Sequence, residues 1–271
     1  MTGIRPLTSE DIADGLRLCR LSNWNQLEED WRYFIEPPGI GGRVFEREGR
    51  VVASVAYLRY GACFSWLSMM LVDPAERRTG IGSQLMDAAL EDLAGDKCVR
   101  LDATPAGEPL YRKFGFEPEY ELVRARAQAD GFTASNAVRP FKAEDIEKVV
   151  ALDREVFGAD RRAILRSLFL RAPGLAWMSG DSYCFGRPGY LYPQIGPIVG
   201  DRARELLSHC LSRMKGRTVA VDVPQADREW VQWLESAGFT MERPFLRMRR
   251  GMNECPGIPE RQFAIAGPEL G

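Results

Sequence analysis

Two short motifs of this 271-residue sequence occur twice at one spacing, and this repeat limits the folds open to the chain. RPL at residues 5–7 and EDI at 10–12 return, as RPF at 139–141 and EDI at 144–146, 134 residues further on. In both copies an extended segment leads into acidic residues at the start of an amphipathic pattern, which is typical of a helix N-terminus. We therefore expect two copies of one structural unit.

A further match and the length of the repeat predict the domain boundaries. FGF at residues 114–116 corresponds to AGF at 237–239, and each follows a short helical stretch. Small and polar residues without helical periodicity fill 127–138, a composition typical of a linker. We predict an N-terminal domain over residues 1–130 and a C-terminal domain over 137–271, both of ordinary domain size.

Composition excludes several classes of function. Hydrophobic residues make up 45% and charged residues 27% of the chain, which is typical of a globular protein with a sizeable core. The net charge of −2 provides no basic field for nucleic acid or an anionic membrane, so we expect neither partner. No apolar run reaches membrane-spanning length and residues 1–12 lack the apolar core of a signal peptide, which together predict a cytoplasmic protein. The six cysteines form no CxxC pair, so we expect no metal site and mostly buried, reduced thiols.

The elements of the first copy follow the order of an α/β protein. Residues 12–35 have helical spacing, with a break at 37–39, and a hairpin is predicted over 43–59. The remaining elements are a buried strand at 64–72, a helix at 81–93, a short strand at 99–103, a short helix at 109–114 and a last strand at 121–127. The hairpin at the front favours a mixed sheet over a purely parallel one.

The turn between the strand at 64–72 and the next helix has the features of an anion-binding site. ERRTGIGSQLM at residues 76–86 places two arginines and two glycines at the start of the helix. The first turn of a helix carries unpaired N–H groups and the positive end of the dipole, and glycine lets a phosphate approach the backbone. Arg77 and Arg78 add full charges. A diphosphate is the expected ligand, although the spacing matches neither GxxxxGK[ST] nor GxGxxG.

The same residues resemble a known family. RRTGIG at residues 77–82 resembles the R/Q-x-x-G-x-G/A motif of the GCN5-related N-acetyltransferases (GNATs), and LYRKFGF at 110–116 resembles their LYxxxGF motif. Strand, glycine motif, helix, strand and second motif occur in the family's order. The whole chain resembles a bacterial tandem acetyltransferase, which implies two GNAT-like domains, each built on a mixed α/β sheet.

The resemblance implies acetyl-CoA as co-substrate and assigns residues to it. Met70, Leu71 and Val72 fall on the strand that lines the pantetheine arm and binds the acetyl group through its backbone. The loop that holds the pyrophosphate carries over to Arg77, Arg78, Thr79, Gly80, Ile81 and Gly82, with Ser83 directly behind. Tyr111 falls on the tyrosine that protonates the leaving thiolate, and it is the catalytic residue that we predict.

The acceptor side of the site is less constrained. An alkylammonium with a pKa near ~10 must lose a proton before it attacks, so a base or a water chain is required. Family members often carry a glutamate on the strand before the glycine motif, and residues 64–72 contain no acid. Asp102, a candidate acceptor contact, and Glu108 are possible substitutes, with a water chain as the alternative. The resemblance also implies an acceptor-side position, with core packing as the alternative, for Trp24, Asn25 and Trp31.

The second copy departs from the family pattern. No R-x-x-G-x-G occurs in the corresponding stretch at 194–201, which runs into a helix near 202–214, and Asp201 stands where it would cap that helix. Leu234 takes the position of Tyr111. We predict that the second copy keeps the fold, has lost the cofactor site and closes one side of the acceptor pocket.

These assignments predict an acetyl-CoA-dependent N-acetyltransferase that acts on a small-molecule amine or an exposed amino group by direct transfer in a ternary complex. A catalytically silent CoA-binding or ligand-sensing module, and an acyltransferase that uses a longer acyl-CoA, are the alternatives. The sequence does not define the acceptor or the oligomeric state, and a monomer is expected if the two copies replace a dimer.

Overall fold

A computed structural model describes residues 3–35 and 40–271, which form two compact units. Unit 1 comprises the described part of Met1–Glu117 together with Gly189–Leu191 and Met248–Asn253. Unit 2 comprises Pro118–Pro188, Tyr192–Arg247 and Glu254–Gly271. The break predicted at 37–39 lies outside the described residues.

Unit 1 is built on a mixed sheet whose strands lie in chain order. These strands are β1 (Gly3–Pro6), β2 (Ile40–Arg47), β3 (Arg50–Tyr60), β4 (Phe64–Val72) and β5 (Cys98–Ala103). Neighbours from β1 to β4 are antiparallel, whereas β4 and β5 are parallel because a helix connects them. The helices are α1 (Ile12–Leu21), α2 (Glu28–Arg32), α3 (Ile81–Asp92) and α4 (Glu108–Lys113). The predicted mixed sheet is thus confirmed, and β4 has the bounds expected from its apolar run.

Unit 2 has the same kind of sheet with additional strands. They are β6 (Glu117–Gln128), β7 (Arg139–Pro140), β8 (Trp177–Ser179), β9 (Ser182–Arg187), β10 (Gln194–Val199), β11 (Thr218–Pro224), β12 (Thr240–Gly251, up to Arg247 in this unit) and β13 (Gln262–Ala264). Their order is β12-β6-β11-β10-β9-β8-β7, and β13 pairs with β10. The helices are α5 (Ile146–Phe157), α6 (Arg162–Arg171), α7 (Ala203–Ser212) and α8 (Arg228–Ser236).

The sequence repeat corresponds to one hydrogen-bonded motif made twice. Arg5 donates to both carboxylate oxygens of Asp11, at 2.8 and 2.7 Å, and Asp11 also accepts the backbone N–H of Thr8. Arg139 donates to Asp145 in the same two-pronged way, at 2.7 Å for each bond. In both copies the carboxylate fixes the chain where a 3-10 turn leads into the first helix of the unit. The repeated sequence motif therefore forms the same local structure in both copies.

Two sequence expectations differ from the structure. The helical stretch at 12–35 is split into α1 and α2, because Asn23 takes a left-handed φ of +53° between them. The strand expected to end the first copy is part of β6, which lies in unit 2 because it pairs with β11 from Leu122–Pro224 to Gln128–Thr218. The units consequently divide after Glu117, and the linker-like residues 127–138 lie within unit 2.

Two further expectations concern the state of the cysteines and the absence of a membrane-spanning segment. Cys19, Cys98, Cys184 and Cys210 are buried thiols that form no disulfide, as expected, whereas Cys63 and Cys255 are disulfide-bonded. Within residues 3–35 and 40–271, no helix is long and apolar enough to cross a membrane.

Candidate active site

A β-bulge interrupts β4 near its end. Between the pairs Ala56–Ser68 and Ser54–Leu71, β4 contains one residue more than β3. Met69 takes a φ of +51° at this point, and its carbonyl oxygen accepts the buried hydroxyl of Ser54 at 2.8 Å. A bulge bends a strand and removes backbone groups from the ladder. The serine on β3 therefore fixes an irregular strand end.

The far half of β4 leaves one side unpaired. β4 and β5 pair only through Ser65–Val99 and Trp66–Arg100, and no strand in the described chain pairs with the β5-facing side of residues 67–72. Met70, Leu71 and Val72 lie on this stretch, with Leu71 buried and the other two partly exposed. Unpaired N–H and C=O groups of a strand are ready to bind an extended ligand.

Arg17 fixes the start of the turn that follows β4. Arg17 donates to Asp73 at 2.7 Å and to the carbonyl oxygen of Val51 at 2.6 Å, and Asp73 accepts the N–H of Ala75 at 3.1 Å. Burial is the largest single influence and raises the pKa of Asp73, but the hydrogen bonds from Arg17 and the N–H of Ala75, together with the nearby arginine charges, outweigh it, so the pKa lies below its usual value. Asp73 is therefore ionised at neutral pH, and its charge fixes the start of the loop.

The loop then reaches α3 with its N–H groups free of side-chain caps. Gly80 precedes the helix with a φ of +88°, a conformation that favours glycine, and no side chain caps this helix end. Thr79 closes the loop by donating to the carbonyl oxygen of Glu76 at 2.6 Å. Arg77 and Arg78 are exposed, and Arg77 contacts the carbonyl oxygen of Val72 at 3.3 Å. The arginines and the helix dipole together form a positively charged turn directly after β4.

The packing of the protein does not require a glycine at position 82. A Cβ there would lie 3.6 Å from Cδ2 of Leu110 and 3.8 Å from Cγ2 of Val72, which are ordinary contact distances. Ile81 is buried in the helix face that packs on the sheet, whereas Ser83 is partly exposed. The missing side chain at Gly82 thus leaves space beside the end of β4 and the start of α3.

Tyr111 lies on α4 with 7% of its surface exposed. Its ring meets Phe116 edge-on, with centroids 6.0 Å apart. Burial raises the pKa of the phenol well above its usual value, so the hydroxyl keeps its proton at neutral pH. This is the protonation state that a proton donor needs.

Asn25 and Trp24, expected on the acceptor side, lie in the segment between α1 and α2. The backbone oxygen of Asn25 accepts the N–H of Tyr190 at 2.9 Å, and its side-chain oxygen accepts the N–H of Leu191 at 2.8 Å. Arg20 lies 3.5 Å over the ring of Tyr190. Asn25 thus binds the distant segment Gly189–Leu191 into unit 1, whereas Trp24 is partly exposed.

Trp31 is fully buried against α1. The six-membered ring of its indole fits over Gly15, where a Cβ would lie only 2.6 Å from the nearest ring carbon. This is the packing of a core tryptophan and needs a residue without a side chain opposite it. Asp102, the last of the predicted acceptor residues, is half-buried near the end of β5.

Gly15→Ala is expected to destabilise unit 1 by about 1 to 3 kcal/mol, because the new methyl group overlaps the Trp31 ring and overpacks the core. Urea unfolding followed by tryptophan fluorescence measures the change. Gly95→Ala is the matched control, because a Cβ at Gly95 meets nothing within 4 Å. Equal free energies of unfolding for the two variants would contradict the packing argument.

Unit 2 differs from unit 1 at the positions singled out in the sequence, and Asp201 does not take the predicted role. Asp201 does not cap α7: its side chain is 85% exposed and lies 3.8 Å from Arg261, while the N–H of Arg202 donates to Ser182. The reason is that α7 begins at Ala203, two residues beyond Asp201. Leu234, at the position of Tyr111, is completely buried on α8. Among the described residues there is also no cluster of side chains suited to a metal ion.

Sequence reasoning missed the residues that support the site. Ser54, Arg17 and the segment Gly189–Leu191 each act through a contact with residues far away in the chain. The hydrogen bond from Leu191 to Asn25 spans 166 positions. No local pattern marks such pairs, and the sequence predicted only the glycine-containing turn and the apolar strand near them.

Comparison with known proteins agrees with this architecture. A family model described as "Acetyltransferase (GNAT) domain" matches residues 40–118, and a second model with the same description matches residues 149–264. Together they cover most of the chain. The chain therefore belongs to the GNAT acetyltransferases, with two such domains in tandem, and it is an N-acyltransferase of a family whose members use acyl-CoA donors and amine-bearing acceptors.

Individual relatives share less than a third of their residues with this chain over the matched regions. The chain is 29% identical over 236 residues to the holothin acyltransferase of Pseudoalteromonas sp. (strain SANK 73390), covering 81% of this chain and 78% of that one. It is 25% identical over 171 residues to the uncharacterised N-acetyltransferase YitH of Bacillus subtilis (strain 168), covering 60% and 58%.

Among solved structures, a provisionally assigned acetyltransferase of Pyrococcus horikoshii superposes with a TM-score of 0.85 at 22% identity, covering 100% of this chain and 96% of that one. A tandem GNAT protein from the clavulanic acid biosynthesis pathway has a TM-score of 0.62 at 17% identity, covering 92% and 98%. These similarities establish the shared fold.

Proposed function

We propose that this protein is a cytoplasmic, acetyl-CoA-dependent N-acetyltransferase that transfers the acetyl group directly to a primary amine of a small molecule. One observation carries the proposal: the unpaired side of β4 leads straight to the uncapped start of α3. An extended arm on the strand followed by a diphosphate at the helix matches the chemical order of acetyl-CoA.

The donor is held by backbone more than by side chains. Met70, Leu71 and Val72 offer N–H and C=O groups to the amide-rich arm and to the thioester oxygen, and a strand N–H stabilises the oxyanion that forms during attack. The residues of the turn take the diphosphate: Arg77, Arg78, Thr79, Gly80, Ile81, Gly82 and Ser83. The free space at Gly82 supports this assignment, because a phosphate must come close to the main chain there.

Tyr111 is the proposed general acid. It donates its proton to the sulfur of CoA as the tetrahedral intermediate collapses and the C–S bond breaks. Burial raises the pKa of the phenol, so the hydroxyl carries the proton that this step requires at neutral pH.

The acceptor must arrive at the thioester as a neutral amine. β4 carries no acid, and Asp102 is half-buried on the neighbouring strand, so a water chain with Asp102 near its end is the proposed route for the proton. Trp24 is the proposed acceptor contact and Asn25 shapes the wall behind it, whereas Trp31 packs in the core of the unit. The segment Gly189–Leu191 is the part of the second sequence copy that completes this wall.

A small acceptor is supported by the relative named for holothin. The same name, acyltransferase, favours a second candidate in which the donor carries an acyl group longer than acetyl. Competition among acetyl-, butyryl- and hexanoyl-CoA for release of free CoA separates these two readings.

The first test is calorimetric titration of the whole chain with acetyl-CoA, read for stoichiometry. We expect one site per chain. Binding followed by release of free CoA with a panel of primary amines supports the enzyme, whereas binding without turnover of any amine favours a ligand-sensing module. No binding contradicts the proposed function.

A further inference from the structure

The second unit contains a cleft of the same construction as the proposed donor site. β10 and β11 are parallel neighbours that pair only through Gln194–Ala220 and Ile195–Val221. Immediately afterwards β10 has a bulge against β9, between Ile195 and Ile198. Two strands thus join over two residue pairs and then separate at a bulge, as β4 and β5 do in unit 1.

In unit 2 this cleft is filled by the chain itself. β13 pairs antiparallel with β10 through Ile198–Ala264 and Val199–Gln262. β9 already occupies the other side of β10 at Ile198 and Val199, so β13 must lie on the side that faces β11. The N–H of Ile265 donates to the carbonyl oxygen of Asp222 on β11 at 2.9 Å, which places the segment between the two strands.

The walls of the cleft fit this segment closely. A Cβ at Gly196, in the bulge of β10, would overlap the carbonyl oxygen of Ile265. The side chains of Ile265 and Leu270 are completely buried. Because position 196 is a glycine, the main chain of the segment can lie directly against β10 at this point.

Charged groups hold the far end of the segment. Glu269 is 2% exposed and forms an ion pair with the buried Arg187 of β9. Arg161 donates to the main-chain oxygen of Gly271 at 2.5 Å and is itself paired with Asp153. A buried ion pair that joins a segment to its cleft makes that segment specific, since a substitute without the charge leaves its partner unpaired.

We propose that the cleft between β10 and β11 is a peptide-binding site and that residues 262–271 are its ligand, bound by strand addition. The segment pairs with the side of β10 that corresponds to the unpaired side of β4, where unit 1 is proposed to bind the acyl-CoA arm. In unit 2 a peptide of the same chain thus occupies the position that the acyl-CoA arm takes in unit 1. Only this comparison with the donor rests on the proposed function. The recognition elements are the edge of β10, the carbonyl of Asp222, Gly196 and Arg187.

The test uses the whole chain with a protease recognition sequence inserted between the exposed Glu260 and the partly exposed Arg261. After cleavage of the folded protein we expect fragment 261–271 to remain bound through gel filtration and to exchange with a fluorescent peptide of the same sequence. Two peptide variants probe recognition without altering the protein. N-methylation of Ile265 removes the donor to Asp222, and E269Q removes the charge that faces Arg187. Each is expected to weaken exchange by about tenfold or more, because a buried group is left unpaired.

Several outcomes overturn the proposal. Release of the fragment from a chain that stays folded means that the cleft has no affinity for it, and unfolding on cleavage means that the segment is core and not ligand. Equal exchange of the N-methylated and unmodified peptides rules out strand addition. No acyl-CoA is present in these measurements, so their result is independent of whether the proposed enzyme activity exists.

Discussion

Gly82→Trp is expected to abolish acetyl-CoA binding while the chain stays folded. The indole would grow from a Cβ that sits at contact distance from Leu110 and Val72, and it would fill the space beside the end of β4. An indole in this space would keep the diphosphate away from the N–H groups and arginines of the turn, and the lost charge-assisted hydrogen bonds are expected to weaken binding by about 100-fold or more. Calorimetric titration measures the Kd.

The matched control for this variant is Gly95→Trp. Gly95 follows the other end of α3, and a Cβ there meets nothing within 4 Å. Gly82→Ala completes the series, because its single methyl group fits the packing and tests the approach of the phosphate alone. Unchanged acetyl-CoA affinity in Gly82→Trp, with a melting temperature equal to that of the control, would refute the placement of the donor.

Tyr111→Phe is expected to lower kcat by about 10² to 10⁴-fold and to leave the Kd for acetyl-CoA almost unchanged. In the proposed mechanism the hydroxyl acts on the leaving sulfur late in the reaction, whereas the ring packs on Phe116 in both variants. A general acid contributes to the transition state and not to ground-state binding, so the effect belongs in kcat. Steady-state rates of CoA release, with the Kd from calorimetry, measure the two quantities separately.

Tyr57→Phe is the control that separates catalysis from stability. Burial, with a hydrogen bond to Asp92 of 3.0 Å, raises the pKa of Tyr57 to about 12, so this tyrosine is protonated like Tyr111 but lies on β3 against α3. Its removal should reduce the melting temperature and leave kcat unchanged. If Tyr111→Phe behaves in the same way, the thiolate leaves without a proton from this residue.

The parts of the site that are local in sequence were predictable. The bounds of β4, the glycine turn and the start of α3 follow from an apolar run, two glycines and a helical period within about 30 residues, and each signal is a property of neighbours in the chain. The Arg5–Asp11 motif was visible because the chain contains it twice.

Other features depend on pairings that no local pattern carries. β6 reads as the last strand of the first copy, and only its register with β11 puts it in unit 2. The positions of Trp31 and Asn25 are decided by Gly15 and by the segment Gly189–Leu191. The position of strand β13 could not be predicted from the sequence either. A short run of apolar residues predicts that the strand is buried, but not which cleft it occupies.

The discontinuity of unit 1 constrains the order in which this protein can be made. Its strands β1 to β5 and its helices α1 to α4 precede Glu117, yet Gly189–Leu191 and Met248–Asn253 also belong to it, so the unit is incomplete until translation has passed residue 253. Domains of multidomain chains generally fold as units from the N-terminus during synthesis, but contacts of high sequence separation delay that process. The nascent first domain must therefore wait, incomplete, while almost all of the second is added to it. A gene split within residues 127–138 would yield an N-terminal fragment that lacks both of these segments of unit 1.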